Sequence, residues 1–459
     1  MTPAKVLRGG PTLEAPVTDG VERLSRQQAE PAWLTERRMA AWARARELPI
    51  PTTKDEGWRR TDLSGLQLER LIEWAPTERP SADGVAIDSV AGAQLAGRLR
   101  LIDGRAVERR LDPELERRGV VLMPLEQAVR DRPELVEPHL GRSVRGEDSK
   151  FVSLADALWT NGVFLYVPRG VGIELPIVGQ YGMASGAACF FRTLVVLEQG
   201  AEATYVDDQG SEAAAGEALA SGVVEIYAGQ ASRLRYATLQ HWNTQTWHFS
   251  RSRALSERDS RVDWLVVAIG GRLHRAEIES ALEGQGSETE LIGLIFGDGR
   301  QQFDHQTLQD HLGNDTRSNL NFKAALGDRS SSNYTGLIRV EKTALRTDSN
   351  LENRNLLLSD HSRAESDPRL EILNSDVIRC AHGATVGPLD PEVIYYIQSR
   401  GLPRDEAQRL VVEAFFQPVL DKIPVKTIQA SVWRGIQRKL GREVRADALP
   451  RGVDAWRAG

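Results

Sequence analysis

Cys380 and His382 stand two residues apart in IRCAHGATVGPLDPEVIYYIQSRG (378–401). Thiolate and imidazole are both good ligands for borderline metals such as zinc and iron. The pair ends a strand-like run, LEILNSDVIRC (370–380). In a strand, residues i and i+2 share a face with Cα atoms ~7 Å apart, so both side chains can reach one ion. A closed metal site takes about four ligands. No CxxC and no second Cys–His pair stands nearby. A second chain could complete such a half-site. The plainer reading is a buried cysteine beside a surface histidine where a strand meets a helix.

Two other histidine pairs invite the same question. His305 and His311, in FDHQTLQDHLGNDTRSN, are an even number of residues apart and so fall on one face of a strand. A cupin-like or other β-helical metalloenzyme is the chemistry that pair would serve, although the ligand order usual for cupins is absent. The plainer reading is the polar outer face of a strand layer. His241 and His248 alternate with Trp242 and Trp247 in HWNTQTWH, which reads as an aromatic-rich hairpin. There is no GxSxG nucleophile elbow and no GxxxxGK[ST] phosphate loop.

The elements that must position these residues fall into three textures. Residues 1–20 lack periodicity and are expected to be disordered. Residues 21–150 are helical and mixed: a helical run holds Trp33, Met39, Ala40 and Trp42 and is stopped by Pro49 and Pro51, and GRLRLIDGRAVERRL reads as a hairpin about Asp103–Gly104. Residues 151–388 are short apolar alternations punctuated by Gly, Asn, Asp and Ser, with no strand–helix alternation. That texture predicts one mainly β body: a sandwich, a barrel or a β-helix. Recurrent turns at Gly200–Ala201, Gly229–Gln230 and Gly284–Gln285 favour stacked rungs, which hide most strand edges.

Residues 389–441 return to helical patterning. Asp390 is a natural N-cap, Pro391 fits the first helical position and Gly401 the stop. Leu410, Val411, Ala414 and Phe415 are expected as the apolar stripe of the next helix. Tyr395, Tyr396, Phe415, Phe416 and Trp433 are more large apolar groups than three short helices can bury among themselves. Either they pack on the β body or they form a docking surface for another protein. Residues 442–459 read as a mobile tail.

Composition narrows the function class. Of 459 residues, 41% are hydrophobic and 27% charged, and the net charge is −6. Arginines are dispersed rather than striped, which argues against nucleic acid as a partner. No apolar run is long enough to span a bilayer, and the N-terminus has no signal-peptide core. The expected location is the cytoplasm, where the two cysteines stay reduced.

The stretch DSNLENRNLLLSDHSRAESDPRLEILNSDVIRCAHGATVGPLDPEVIYYIQSRGL (348–402) closely resembles the SufB/SufD family of iron–sulfur cluster assembly proteins. RNLLLS, P-x-LEI, C-x-HGATVG and Y-x-x-SRG occur in the family's order and spacing. LWTNGVFLYVPRGVGIELPI and KDEGWRRTDLSGL look like the start of the family's β core and its N-terminal Trp-Arg-x-Thr segment. The likeness spans roughly residues 50–440. The pattern of LLLSDHSRAESDPRLEI and the scarcity of cysteine place it on the SufD side.

The resemblance implies a right-handed parallel β-helix flanked by helical regions and a non-catalytic scaffold role. It implies pairing with a SufB chain and docking of the ABC-type ATPase SufC. By that likeness His382 matches a proposed interface cluster ligand, and Cys380 a nearby cysteine of less certain role. Residues 391–440, with Tyr395, Tyr396, Arg400, Phe415, Phe416 and Trp433, match the SufC-docking helices. No cofactor is expected to stay bound to the isolated chain; a transient iron–sulfur cluster would form at the interface with SufB. A homodimer in the absence of SufB is compatible with the sequence.

Overall fold

The computed structural model describes residues 18–73, 90, 92–144, 146, 149–183, 188–211, 216–423 and 426–441. The expected disordered N-terminus, apart from Thr18–Gly20, and the tail after 441 lie outside these residues. The N-terminal part holds helices α1 (Thr18–Gln27), α2 (Ala32–Glu47) and α3 (Leu68–Glu73). Next come strands β1 (Gly97–Ile102) and β2 (Arg105–Leu111), helix α4 (Pro113–Arg117) and strand β3 (Val121–Pro124). Helices α5 (Leu125–Asp131), α6 (Pro133–Val136) and α7 (Lys150–Leu158) complete it.

A series of strands follows, with no helix between them among the described residues. These are β4 (Asn161–Val167), β5 (Ile177–Met183), β6 (Ala188–Leu197), β7 (Glu202–Ser211) and β8 (Ala218–Ala228). Then come β9 (Arg233–His241), β10 (Thr246–Ser256), β11 (Arg261–Ala268), β12 (Leu273–Leu282) and β13 (Glu288–Gly297). The last are β14 (Gln302–His311), β15 (Arg317–Leu326), β16 (Ser331–Val340), β17 (Thr347–Leu357), β18 (Arg363–Ile372) and β19 (Val377–Pro388). Helices α8 (Pro391–Ser399), α9 (Arg404–Leu420) and α10 (Lys426–Lys439) end the chain.

From β4 onward, successive strands alternate between two sheets. One runs β19-β17-β15-β13-β11-β9-β7-β5-β1-β2 and the other β18-β16-β14-β12-β10-β8-β6-β4-β3. All pairings within the series β4–β19 are parallel. Each even–odd pair of strands is therefore one rung, and the rungs stack as a parallel β-solenoid with its core in the lumen between the sheets. Of the sandwich, barrel and β-helix, the structure is the β-helix. His241 and His248 accordingly end β9 and begin β10 in different sheets, so the expected hairpin there is a solenoid turn.

The hairpin expected at Asp103–Gly104 is present, with both residues at positive φ. It does more than expected: β1 pairs in parallel with β5, and β2 forms the outer edge. Strand β3 closes the other sheet through an antiparallel pairing with β4. Leu111, Leu115 and Val120 fill the lumen at this end, so the first rung is plugged.

Both outer faces are covered along part of their length. The N-terminal helices lie on the nine-stranded sheet, where Leu154, Phe190, Leu194, Leu219 and Phe249 share one cluster. A buried charge network fixes that contact: Arg192 pairs with Asp156 and with Glu225, and Glu225 accepts the backbone amides of Gly141, Ser143 and Val144. The C-terminal helices lie on the ten-stranded sheet. Asp390 caps α8 through the Glu392 amide, with Pro391 at the first position and Gly401 at positive φ, as the sequence predicts. The stripe of α9 is corrected. It buries Ala407, Val412, Phe416, Val419 and Leu420, while Leu410 is 46% exposed. Apolar residues occupy more than one helical face there, so spacing alone does not choose among them.

Candidate functional site

The solenoid is plugged at its first rung and open at its last. Strands β18 and β19 each have a neighbour on one side only, so both sheets end in a free edge. Pro368, which has no N–H to donate, is tolerated in β18 because that strand is an edge. Leu370, Ile372, Leu373, Ile378 and Val386 are 37–65% exposed around this end. Exposed aliphatics rimming an unpaired sheet edge are a template for pairing with another chain.

The direction of Cys380 and His382 depends on one inserted residue. Thr347 pairs with Val377, but Asp348 pairs with Arg379, so Ile378 is an extra residue on β19. Thr347, Ser349 and Leu351 face the lumen and are buried. The bulge brings Cys380 over Ser349 and His382 over Leu351. Were Ile378 paired with Asp348 instead of bulged out, Arg379 would take the inward position and both candidate ligands would turn to the outer face, because a one-residue slip reverses a strand's alternation.

Cys380 is half-buried against the lumen core, and burial raises its thiol above the ordinary range. His382 is exposed. The arrangement is a thiol and an imidazole on one face of an unfinished rung, open to whatever covers the end. Each could contribute one lone pair to a metal ion. Among the described residues, no group of three or more His, Cys, Asp or Glu converges on a point that could hold an ion.

His305 and His311 do not form the alternative site. Both are fully buried in the lumen, not on an outer face. Six residues apart on β14, they are separated by about 20 Å at the strand rise. His311 is hydrogen-bonded to the hydroxyls of Thr316 (2.7 Å) and Ser318 (2.9 Å). His305 instead meets His274 edge-on, with ring centroids 4.9 Å apart, and His274 stacks on His248 at 4.7 Å. These imidazoles form part of a ladder of lumen side chains.

The docking candidates divide. Phe416 and Trp433 are 0% and 3% exposed and hold α9 and α10 on the sheet. Phe415 packs at the same cluster, with the Lys323 ammonium 5.0 Å from its ring and bonded to its carbonyl. Tyr395 and Tyr396 are 74% and 60% exposed on α8. Arg400 reaches back over Tyr396, Cζ 5.2 Å from the ring centroid and Nη2 3.1 Å from the hydroxyl. The accessible part of the predicted surface is thus α8, not α9 and α10.

Sequence reasoning missed the Ile378 bulge. Its signal is the adjacent pair Val377–Ile378, two large aliphatics that break an alternation of period two.

Comparison with known families assigns residues 180–415 to the SUF system FeS cluster assembly SufBD core domain, and residues 98–178 to the SufBD protein N-terminal region. Among similar proteins, the iron–sulfur cluster assembly protein SufD of Bacillus subtilis (strain 168) is 27% identical over 92% of this chain and 97% of its own. The SufB protein of the same strain is 26% identical over 88% of this chain and 89% of its own. A SufBD family protein of Staphylococcus saprophyticus matches at 26% with the same coverage.

Proposed function

The chain belongs to the SufBD family of SUF-system iron–sulfur cluster assembly proteins, and on that premise we propose that it is a SufD-like, non-catalytic scaffold subunit of the cytoplasm. Its open end pairs with the corresponding end of a SufB-like chain. Its α8 region docks a SufC-like ATPase. A transient cluster forms where the two scaffold chains meet.

One observation carries this reading: Cys380 and His382 face out of an unfinished lumen at a free, apolar-rimmed sheet edge. A half-site becomes a whole site when a second edge covers it. Iron ions and sulfide are the cargo. Cys380 must lose its proton and His382 must be neutral to ligate, so cluster binding weakens in acid. The low cysteine content supports the SufD side, because further thiolates would come from the partner. The exposed Tyr395, Tyr396 and Arg400 support ATPase docking, since such groups dominate many interfaces. Among the described residues no helix is long and apolar enough to cross a membrane.

Reconstitution with the SufB-like and SufC-like chains tests the proposal. His382→Ala and Cys380→Ala should each lower iron–sulfide loading, read by visible charge-transfer absorbance, by roughly tenfold. Thermal stability should be unchanged, because both groups lie at an open end. Loading at the native level in both variants would remove the ligand role. Tyr395→Ala with Tyr396→Ala should release the ATPase in pull-down without lowering the melting temperature. Phe416→Ala should instead destabilise the fold by about 3–5 kcal/mol.

A further inference from the structure

The segment Glu56–Thr61 lies across the outer face of the nine-stranded sheet and touches five successive strands. Phe249, Arg275, Asp304, Asn333 and Glu365 stand in register on β10, β12, β14, β16 and β18. Trp58 lies against Phe249, with centroids 6.2 Å apart, and stacks on the Arg275 guanidinium at 3.7 Å. The Thr61 hydroxyl donates to Asp304, which also pairs with Arg275. The Arg60 carbonyl accepts from Asn333 Nδ2 at 3.0 Å and from Gln302 Nε2. Gln306 Nε2 donates to the Gly57 carbonyl at 2.9 Å. Finally the Arg60 side chain pairs with Glu365, and lies 3.8 Å from Asp367, while Glu56 lies 3.6 Å from Arg369.

The last three acceptors and donors are the outward side chains of β18, the edge strand of the open end. Terminal rungs of a solenoid are supported from one side only. The far end of β18 has its own peg, since Asn374 Nδ2 donates to the carbonyls of Glu341 and Ala344. The near end of the strand is held by its ladder to β16 and by this segment. The half-buried Trp58 and the buried Thr61 fix the segment on either side of Arg60, so little further entropy is lost in making those ion pairs.

We infer that Glu56–Thr61 is a clasp that holds the first half of β18 in the geometry needed for edge pairing, with Arg60 as its positioning residue. It acts through β18 and touches no cargo. Its last consequence rests on the proposed pairing with a SufB-like chain; its effect on β18 does not.

Hydrogen exchange of the full chain, followed by association with the SufB-like chain, tests it. Arg60→Ala should speed exchange within 363–369 by about fivefold, leave β10 unchanged and weaken association. Arg60→Lys should restore much of both. Arg60→Glu should be worse, and Arg60→Glu with Glu365→Arg should recover. Glu365→Gln with Asp367→Asn removes the same ion pairs from the β18 side and keeps the test available if changes at Arg60 impair folding. Unaltered exchange in β18, or faster exchange with undiminished association, overturns the clasp. If the native chain itself does not associate, the proposed function fails, and the exchange data alone then decide whether the clasp holds β18.

Discussion

At the scale of single residues, the lumen sets unusual terms for its polar groups. His248 and His305 are fully enclosed, and burial pulls both imidazoles down to about 3; His311 falls to about 4 for the same reason. The unfolded chain takes up these protons below about pH 6.5, while the fold refuses them until far lower pH. Folding is therefore fully supported at neutral pH and loses support as pH falls through 6. Each such imidazole costs about 2 kcal/mol at pH 5. His305 has no hydrogen-bond partner on either ring nitrogen among the described residues, so His305→Leu should remove its share without breaking a bond. The drop in melting temperature between pH 7 and pH 5 should shrink in that variant; an unchanged drop would show that His305 ionises normally. Asp207 works in the opposite direction. Burial raises it to about 6 despite hydroxyls from Tyr205, Tyr236 and Thr193, so it weakens the fold as pH rises from 4 to 6. Cys380 differs from all of these in being only half enclosed, which leaves it available to a cation from outside.

At the scale of elements, the solenoid counts its turns with backbone rather than side chains. Gly170, Gly200, Ala231, Asp259, Gly286, Asp315 and Arg346 all have positive φ, one per turn. Each donates its amide to the carbonyl just before the next turn position, from Gly170 to Gln199 through Arg346 to Asp376, at 2.7–2.9 Å. Glycine is easiest in that conformation, yet Ala, Asp and Arg also hold it. This is why stacked rungs could be suspected at Gly200–Ala201 while no strict repeat was legible. The capped start of α8 was legible because Asp390, Pro391 and Gly401 act locally. The packing of Phe416 and Trp433 on the ten-stranded sheet was one of two readings open in the sequence, and the choice between them was not legible because it depends on contacts distant in sequence. The Cys380–His382 spacing showed that the two share a face, but only strand register shows which face. The way Ile378 is left out of the ladder decides it. Deleting Ile378 removes the bulge but keeps Cys380 over Ser349 and His382 over Leu351, so the deletion should load normally. Inserting one alanine after Arg379 should instead place Cys380 over Asn350 and His382 over Glu352, turn both ligands outward, and reduce cluster loading to the level of a Cys380→Ala/His382→Ala double variant. Native loading by the insertion would mean that strand register does not aim the site.

At the scale of the whole molecule, the two ends are unlike. One is closed by β2, β3 and Leu115, and the charged side chains of β2 (Arg105, Glu108, Arg109 and Arg110) discourage further pairing there. The other is open and apolar-rimmed. A 1:1 mixture with the SufB-like chain should therefore give a single end-to-end pair by mass measurement, and excess of either chain should stay unincorporated. Heavier species growing with concentration would contradict that. A solenoid with two open ends would be a monomer in the polymer chemist's sense, able to extend without limit. With one end stoppered, this chain is a terminator: its first successful junction is also its last. The plugged end and the charged β2 edge disfavour fibre growth, and a completed junction would enclose one pair of facing mouths.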